Sequence, residues 1–548
     1  MSRGRVDMAR AGRARLLLLG LLLPACASPA ATPAVPPLVL VQVPVGSPAA
    51  AWSTTVEPAY PAGTRLLLLD PAGGPPRVLS PGLDVAAWPA PSPDGRQVLF
   101  AGRRGPADPF TLWISDLTGA PPQPFPAGPG SCTNPRWIAA DHVVMRCAAS
   151  LPALTVSNPG ALWVVGPGKL PPRRITFGVH PQFSPEVLPD GRLVYGERVL
   201  DRPPPEVDPG TLPGERIALR AVDPDGAGAE RYHDRLLEPT YKLRVKRGGE
   251  GRLLIVGGLP GETRPGPGRL FQLATGWPAV HAEPLRPDLG GPVVGAAALP
   301  GGGLLLCRQV PDDPVFSLQW LPSALGGEPQ TWHRDPAFHV ADVEPVLPWS
   351  PPSLPLSTLD GSGRGWLLLL DPSVTEPGSL VSVSRYGLHS AVLLAPEPAP
   401  APPEEGLPDP DDFLTTRRLP PPADPYAEAG GYTPETRRRP LGEFAVQPDG
   451  SFLVALPADT PLTLRLLGAG GTYAGDVPGW FWLRPGEIRS CLGCHEDPGR
   501  LPPNEVFLAT TRPPSVLGPV IHEPPPPPAV ELPVGAPGDV PPDAELPR

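Results

Sequence analysis

Short apolar runs separated by clusters of proline and glycine recur along the chain, among them RLLLLD, RQVLFAG, ALWVVG and RLLIVGG. Runs of this kind, bounded by turn residues, read as strands, and from about residue 55 to 390 no stretch carries the period of an amphipathic helix. Apolar cores centred near Leu99, Val143, Leu193, Leu254, Leu305 and Leu367 are separated by 44, 50, 61, 51 and 62 residues. That spacing suits a four-stranded blade with variable loops, since propeller repeats run roughly 40 to 50 residues. The stretches PSPDGRQVLFAG (91–102), VLPDGRLVYGE (187–197) and ALPGGGLLLCR (298–308) each place a glycine-containing turn before an apolar strand, as a hairpin needs residues that accept positive φ. The pattern predicts an all-β fold whose main part, residues 55–394, is a six- to seven-bladed β-propeller. Six blades are clear, and TRLLLLD (64–70) can close a seventh by pairing the N-terminal end with the last blade. The competing arrangement of the same strands is a pair of β-sandwiches, which does not account for PDG turns repeating in register.

The first turn, followed by TLWISDLTG (111–119), resembles the PD40 repeats of TolB-like propellers, as do HPQFSPEVLPDGRLVY (180–195) and RIALRAVDPDG (216–226). Residues 395–440 are then so rich in proline and so poor in apolar side chains that they form no core of their own, and they read as a linker or a surface-draped loop. A second β-unit, 441–517, follows: GEFAV, SFLVAL, LTLRLL and GWFWLR are strands of a small antiparallel sandwich or meander. Residues 518–548, with five consecutive prolines at Pro524 to Pro528, read as a disordered tail.

The N-terminus changes the picture of where the protein works. Five arginines, an apolar run from Leu16 to Leu23 and then small residues form a secretory signal over 1–26, and the run is too short to span a bilayer. Its end, Leu23-Pro24-Ala25-Cys26, resembles the lipobox of bacterial lipoproteins, which implies acylation of Cys26, a flexible tether over 27–54, and a periplasmic or outer-membrane location in a Gram-negative bacterium. The alternative is an ordinary cleaved signal with an incidental Cys26. The formal charge is −10, and the basic leader leaves −14 on the remainder. An acidic chain without a basic stripe argues against nucleic acid as a partner, and leaves the lipid anchor as the only membrane contact.

The chemistry is concentrated in Cys491-Leu492-Gly493-Cys494-His495, the CxxCH pattern of c-type haem attachment. Two thiols at this spacing reach the two vinyl groups of one porphyrin edge, and the adjacent imidazole binds the iron. A zinc site would need further ligands, and no second CxxC or paired histidine lies nearby. A plain CxxC disulfide would leave His495 as a bystander. Cys132 and Cys147 flank CTNPRWIAADHVVMRC and can form a disulfide in an oxidising compartment, two separate buried thiols being the alternative; Cys307 reads as a blade core residue. Arg484, Arg489 and Arg500 can pair haem propionates or simply face solvent, and Trp480 and Trp482 can wall the porphyrin or fill the small domain's core. No sixth ligand is identified among His142, Met145, His180, His233, His281, His333, His339, His389 and His522.

The run LGEFAVQPDGSFLVALPADTPLTLRLLGAGG…GWFWLRPGEIRSCLGCHEDPGRLPPN resembles the family named after the middle domain of the hydrazine synthase alpha subunit. That family pairs PxDGSFxVxxPADTPLxxxLL with PGExRxCxGCHE behind a PD40-type propeller. The resemblance implies haem c held covalently by Cys491 and Cys494 with His495 on the metal. It does not carry the reaction, and no second CxxCH follows here. The expected function is therefore an exported, lipid-anchored c-type haem protein in electron transfer or redox sensing, with the propeller face meeting a protein redox or scaffold partner. The alternatives are a haem-dependent oxidoreductase and a propeller interaction protein with a structural haem. No Ser/His/Asp arrangement, P-loop or HExxH motif appears in the chain.

Overall fold

The computed structural model describes most of residues 36–522. The longer stretches outside the description are 1–35, 48–57, 149–159, 201–214, 234–241, 258–267, 375–383, 397–437, 494–504 and 523–548. Cys26 and the signal segment therefore lie outside the described residues. Among the described residues the regular structure is strand, with two short 3-10 turns.

Six four-stranded sheets form a β-propeller. Its innermost strands are Val85–Pro91, Ser131–Trp137, Gln182–Val187, Lys242–Arg247, Val293–Ala298 and Phe338–Pro345. The first five each open a meander of four antiparallel strands, blades 2 to 6 in chain order. The sixth completes blade 1, where it pairs with Leu38–Pro44, which pairs in turn with Arg65–Leu69. The ring is thus closed by one strand from the far end of the propeller laid against three from the N-terminal end.

This closure corrects three expectations. Leu38–Pro44, expected within the tether 27–54, is a buried strand: LVLVQVP is apolar on both faces, and its flanking prolines disguised it. TRLLLLD does join the N-terminal end to the last strand, but it completes the sixth blade and not a seventh, because the run around Leu367 expected as a blade lies in another sheet. The propeller also ends at Pro345, not 394; Arg364–Leu369 and Leu388–Pro396 belong to the next module.

Three inner strands carry the same irregularity. Register shifts fall at Ala87/Ala90, Thr133/Arg136 and Phe183/Glu186, and inside each a residue before proline takes positive φ: Trp88 (55°), Asn134 (52°) and Ser184 (50°). Such a bulge re-aims the side chains that follow it. In blades 3 and 4 those side chains are Arg136 and Glu186, which meet near the axis, Nε to Oε2 at 3.6 Å, while Arg136 Nη2 reaches Glu344 of the closing strand at 3.3 Å. Arg136 also donates to the Pro89 carbonyl of blade 2. One guanidinium thereby joins four blades at the wall of an axial cavity of about 380 Å³.

The C-terminal module is a two-layer sandwich. One sheet holds Phe452–Pro457, Arg364–Leu369 and Ile488–Cys491; the other holds Arg438–Ala445, Leu388–Pro396, Thr463–Gly468 and Tyr473–Asp476. Both layers contribute to one core, with Leu367, Leu393, Phe444, Phe452, Val454, Leu464 and Leu466 buried together. Pro396 pairs with Arg438, so the proline-rich stretch expected to link two domains at 395–440 instead joins neighbouring strands of a single sheet.

The expected tail also begins later than 518. Gly518 pairs with Glu443, and the buried Glu443 carboxylate accepts from the backbone N–H of Ile521 and His522 and lies 2.9 Å from the His522 ring. Burial alone would raise its pKa; the neighbouring Ser390 hydroxyl, the His522 ring and these two N–H groups outweigh it and bring the carboxyl down to about 2 from 4.5. A carboxyl depressed in the folded state stabilises above its unfolded pKa and loses that contribution as pH falls through the folded value. Acidification from pH 4.5 towards 2 is expected to remove on the order of 3 kcal/mol at this clasp. Proteolytic release of the 515–522 segment should rise over that window in the native protein and be elevated but less pH-dependent in Glu443→Gln.

Candidate functional site

The CxxCH segment begins as an edge strand. Ile488–Cys491 pairs in parallel with Arg364–Leu369, setting Trp366 opposite Ile488 and Leu369 opposite Cys491. The pairing continues beyond the strand, Leu370 donating to the Cys491 carbonyl at 3.0 Å and Asp371 to the Leu492 carbonyl at 2.7 Å. Cys491 is half-buried against the sandwich core, and Leu492 is buried. Cys494 and His495 lie outside the described residues.

The surroundings of Gly493 explain why the second of the two residues between the cysteines is small. A Cβ there would stand 2.1 Å from the Val374 carbonyl oxygen and 2.9 Å from that of Asp371, closer than real side chains approach. The 371–374 turn, held by Asp371 Oδ1 accepting from Ser373, forms the wall that Gly493 passes. Gly493→Ala is expected to force strand and turn apart and to cost about 1–3 kcal/mol. Amide exchange at 488–492 should accelerate while the propeller strands stay protected.

The donor set of two thiols and one imidazole has the chemistry that a c-type haem needs. The described part of the segment, with one cysteine half-buried at an apolar edge and a glycine at the tightest point, fits such a group.

Other expected haem neighbours have different work. Trp482 is buried among propeller residues Ile175, Phe177, Val187, Tyr195 and Val222, and its Nε1 donates to the Gly226 carbonyl at 3.2 Å. Arg484 is ion-paired to Asp459 at 2.7 Å and lies over the Phe177 ring. Arg489 is paired to Glu487 at 2.7 Å. Glu487 accepts from the backbone of Arg484 and of Gly228, so it too spans the two modules. Trp482, Arg484 and Glu487 thus join the CxxCH-bearing module to blades 3 and 4, an assignment for which the sequence held no signal beyond their clustering. Trp480 is partly buried, with the Arg438 guanidinium 5.9 Å from its ring centre. Arg500 lies outside the described residues.

The candidate axial ligands are similarly dispersed. Met145 is fully buried in blade 3, and His142 sits on Asp141 at 2.7 Å. His233 and His339 are buried in blade strands, His339 accepting from the Phe316 N–H. His333 contacts Gln42, His522 is held by Glu443, His389 is exposed, His180 is partly buried, and His281 lies outside the described residues. Cys132 and Cys147, directly opposite one another in blade 3, form a disulfide, and Cys307 is buried in blade 6. No group of three or more metal-ligating side chains occurs among the described residues.

Residues 422–496 match the family described as the hydrazine synthase alpha subunit middle domain, a span that ends one residue past His495. The match begins inside the sandwich; its first two strands, Arg364–Leu369 and Leu388–Pro396, precede it. Among solved structures the chain is similar to hydrazine synthase of Kuenenia stuttgartiensis, with 16% identity and a TM-score of 0.69 over 87% of this chain and 71% of that one. TolB from Acinetobacter baumannii is a weaker match, with 14% identity and a TM-score of 0.33 over 56% of this chain and 67% of that one. At these identities the likeness is one of fold. No curated protein matches the chain.

Proposed function

We propose that the protein is an exported, lipid-anchored c-type haem protein, with the propeller as a platform for a protein partner and the haem serving electron transfer or redox sensing. The observation that carries this reading is the CxxCH at Cys491, Cys494 and His495, inside the span that matches the hydrazine synthase alpha middle domain and at the end of an edge strand. Cys491 and Cys494 would hold the haem covalently through its two vinyl groups, and His495 would ligate its iron. A haem bound there supplies a one-electron couple whose potential follows from its axial ligands and surroundings. Gly493 keeps the attachment turn against 371–374, and Trp482 and Glu487 hold the attachment strand's module to the propeller.

A second reading, a haem oxidoreductase, is favoured by the fold likeness to hydrazine synthase over both modules. Spectra separate the two. Protein matured in an exporting host with the cytochrome c ligation machinery is expected to carry a covalently added macrocycle by intact mass, abolished in Cys491→Ala/Cys494→Ala. A low-spin, six-coordinate spectrum supports electron transfer; a high-spin haem that binds CO supports the enzyme. Absence of any mass addition to the native chain overturns both. Cys26→Ser protein is expected to leave the membrane fraction.

A further inference from the structure

Blade 6 buries a positive charge that none of the described residues answers. Leu304, Leu306 and Arg308 lie on one face of the strand Leu304–Gln309; opposite them, on Phe316–Leu321, stand Leu321, Gln319 and Ser317. The leucines of this face pack into an apolar cluster with Leu254, Val256, Leu270 and Leu285 of blade 5. A face built for apolar packing between blades would ordinarily carry apolar residues throughout. Instead Arg308, Ser317 and Gln319 are 6%, 1% and 3% exposed. Arg308 Nε and Nη1, Ser317 Oγ and Gln319 Oε1 are buried atoms without a hydrogen-bond partner among the described residues.

The charge balance around them is one-sided. Arg286, whose guanidinium acts electrostatically on Arg308, is matched by Asp288, with contacts of 2.8 and 2.6 Å, and donates to the Gly327 carbonyl. Among the described residues no such carboxylate faces Arg308. Burial, and secondarily the nearby Arg286 charge, pull its pKa below the usual guanidinium value. A guanidinium does not discharge at physiological pH, so it stays charged where a lysine would become neutral. Leaving a buried cation with unpaired N–H groups is strongly unfavourable. The Ser317 hydroxyl opposite it can donate, and the Gln319 amide, on the same face, carries N–H donors of its own.

We propose that Arg308, with Ser317 and Gln319, binds one small monoanion, of halide or formate size, between blades 5 and 6. The local excess is a single charge, so a monoanion balances it. The Arg308 N–H groups, the hydroxyl and the amide supply the donors. The site lies in the propeller and stands or falls independently of the haem.

The test uses the full chain. Crystals soaked in bromide are expected to show an anomalous peak within hydrogen-bond reach of Arg308 Nε or Nη1. In a buffer whose counter-ion is too bulky to enter, the folded-to-unfolded ratio is expected to rise about tenfold for each tenfold increase of chloride or formate above the dissociation constant. Arg308→Met should abolish that response and leave only the general salt effect, and Ser317→Ala should weaken it. If Arg308→Met does not fold, the bromide peak and the native titration still decide. Water alone at Arg308, a carboxylate of this chain seated there, or bromide density with no anion-dependent stability, which would be an adventitious ion only, each overturns the proposal.

Discussion

Replacing Trp482 with alanine is expected to destabilise the native assembly of propeller and sandwich by about 3–5 kcal/mol, the cost of removing a fully packed tryptophan. The residue belongs to the C-terminal module by chain position and to the propeller by packing, since it is 4% exposed and its neighbours are Ile175, Phe177, Val187 and Tyr195. Deleting the indole opens a cavity at the junction and orphans the Gly226 carbonyl. The turn that presents this carbonyl cannot move in to fill the gap. Gly226 has φ +96° and already sits so close to Ile175 that a Cβ would stand 2.3 Å from its carbonyl oxygen. Denaturant unfolding of Trp482→Ala should show the two modules melting separately, whereas Trp482→Phe, which keeps most of the packing and loses one hydrogen bond, should cost only about 1–2 kcal/mol. An unchanged midpoint in Trp482→Ala would mean that Arg484 and Glu487 hold the junction without it.

The second large effect is expected at Asp476. Its carboxylate takes Arg465 Nε at 2.7 Å and Nη2 at 3.0 Å on its two oxygens, and Arg438 Nη1 at 3.0 Å. The three side chains are 3–4% exposed. Asp476→Ala removes the anion and leaves both guanidiniums in the sandwich, with a loss of about 3–5 kcal/mol, the usual result of breaking one side of a buried ion pair. The Tyr473 ring under Arg465 and the Trp480 ring near Arg438 offer the cations only partial compensation. Replacing all three charges together, Asp476→Leu with Arg438→Met and Arg465→Met, should recover much of the loss in urea unfolding, because no charge then remains to be paired. A triple variant no more stable than Asp476→Ala would show that the arginines are needed for their shape and other contacts.

What could be read from the sequence follows from which interactions are local. Blade hairpins close through PDG and GGG turns a few residues long, and so the propeller class and its spacing were visible. The x-Pro bulges at Trp88, Asn134 and Ser184 recur 46 and 50 residues apart and are legible in retrospect as a mark of inner strands, although prolines there look like ordinary loop punctuation. Leu38–Pro44 was hidden because its flanking prolines read as tether and because one of its two partner strands lies far along the chain, a pairing that no local pattern announces. The same holds for Ile488–Cys491, whose parallel partner precedes it by more than a hundred residues. The CxxCH pattern could be read because its five residues are contiguous. The roles of Trp482, Arg484 and Glu487 could not, since they depend on a surface contributed by blades 3 and 4.

The closing strand also sets an order of events during synthesis. Leu38–Pro44 leaves the ribosome about 290 residues before Phe338–Pro345, and at 5–20 residues per second that interval is roughly 15 to 60 s. Throughout it a greasy ribbon has one hydrogen-bonding edge with nothing to receive it, the situation in which nascent chains stick to one another. Final assembly is thus expected to depend on a holding factor or on slow delivery, and shortening the polypeptide anywhere before Pro345 should yield insoluble product rather than a smaller wheel.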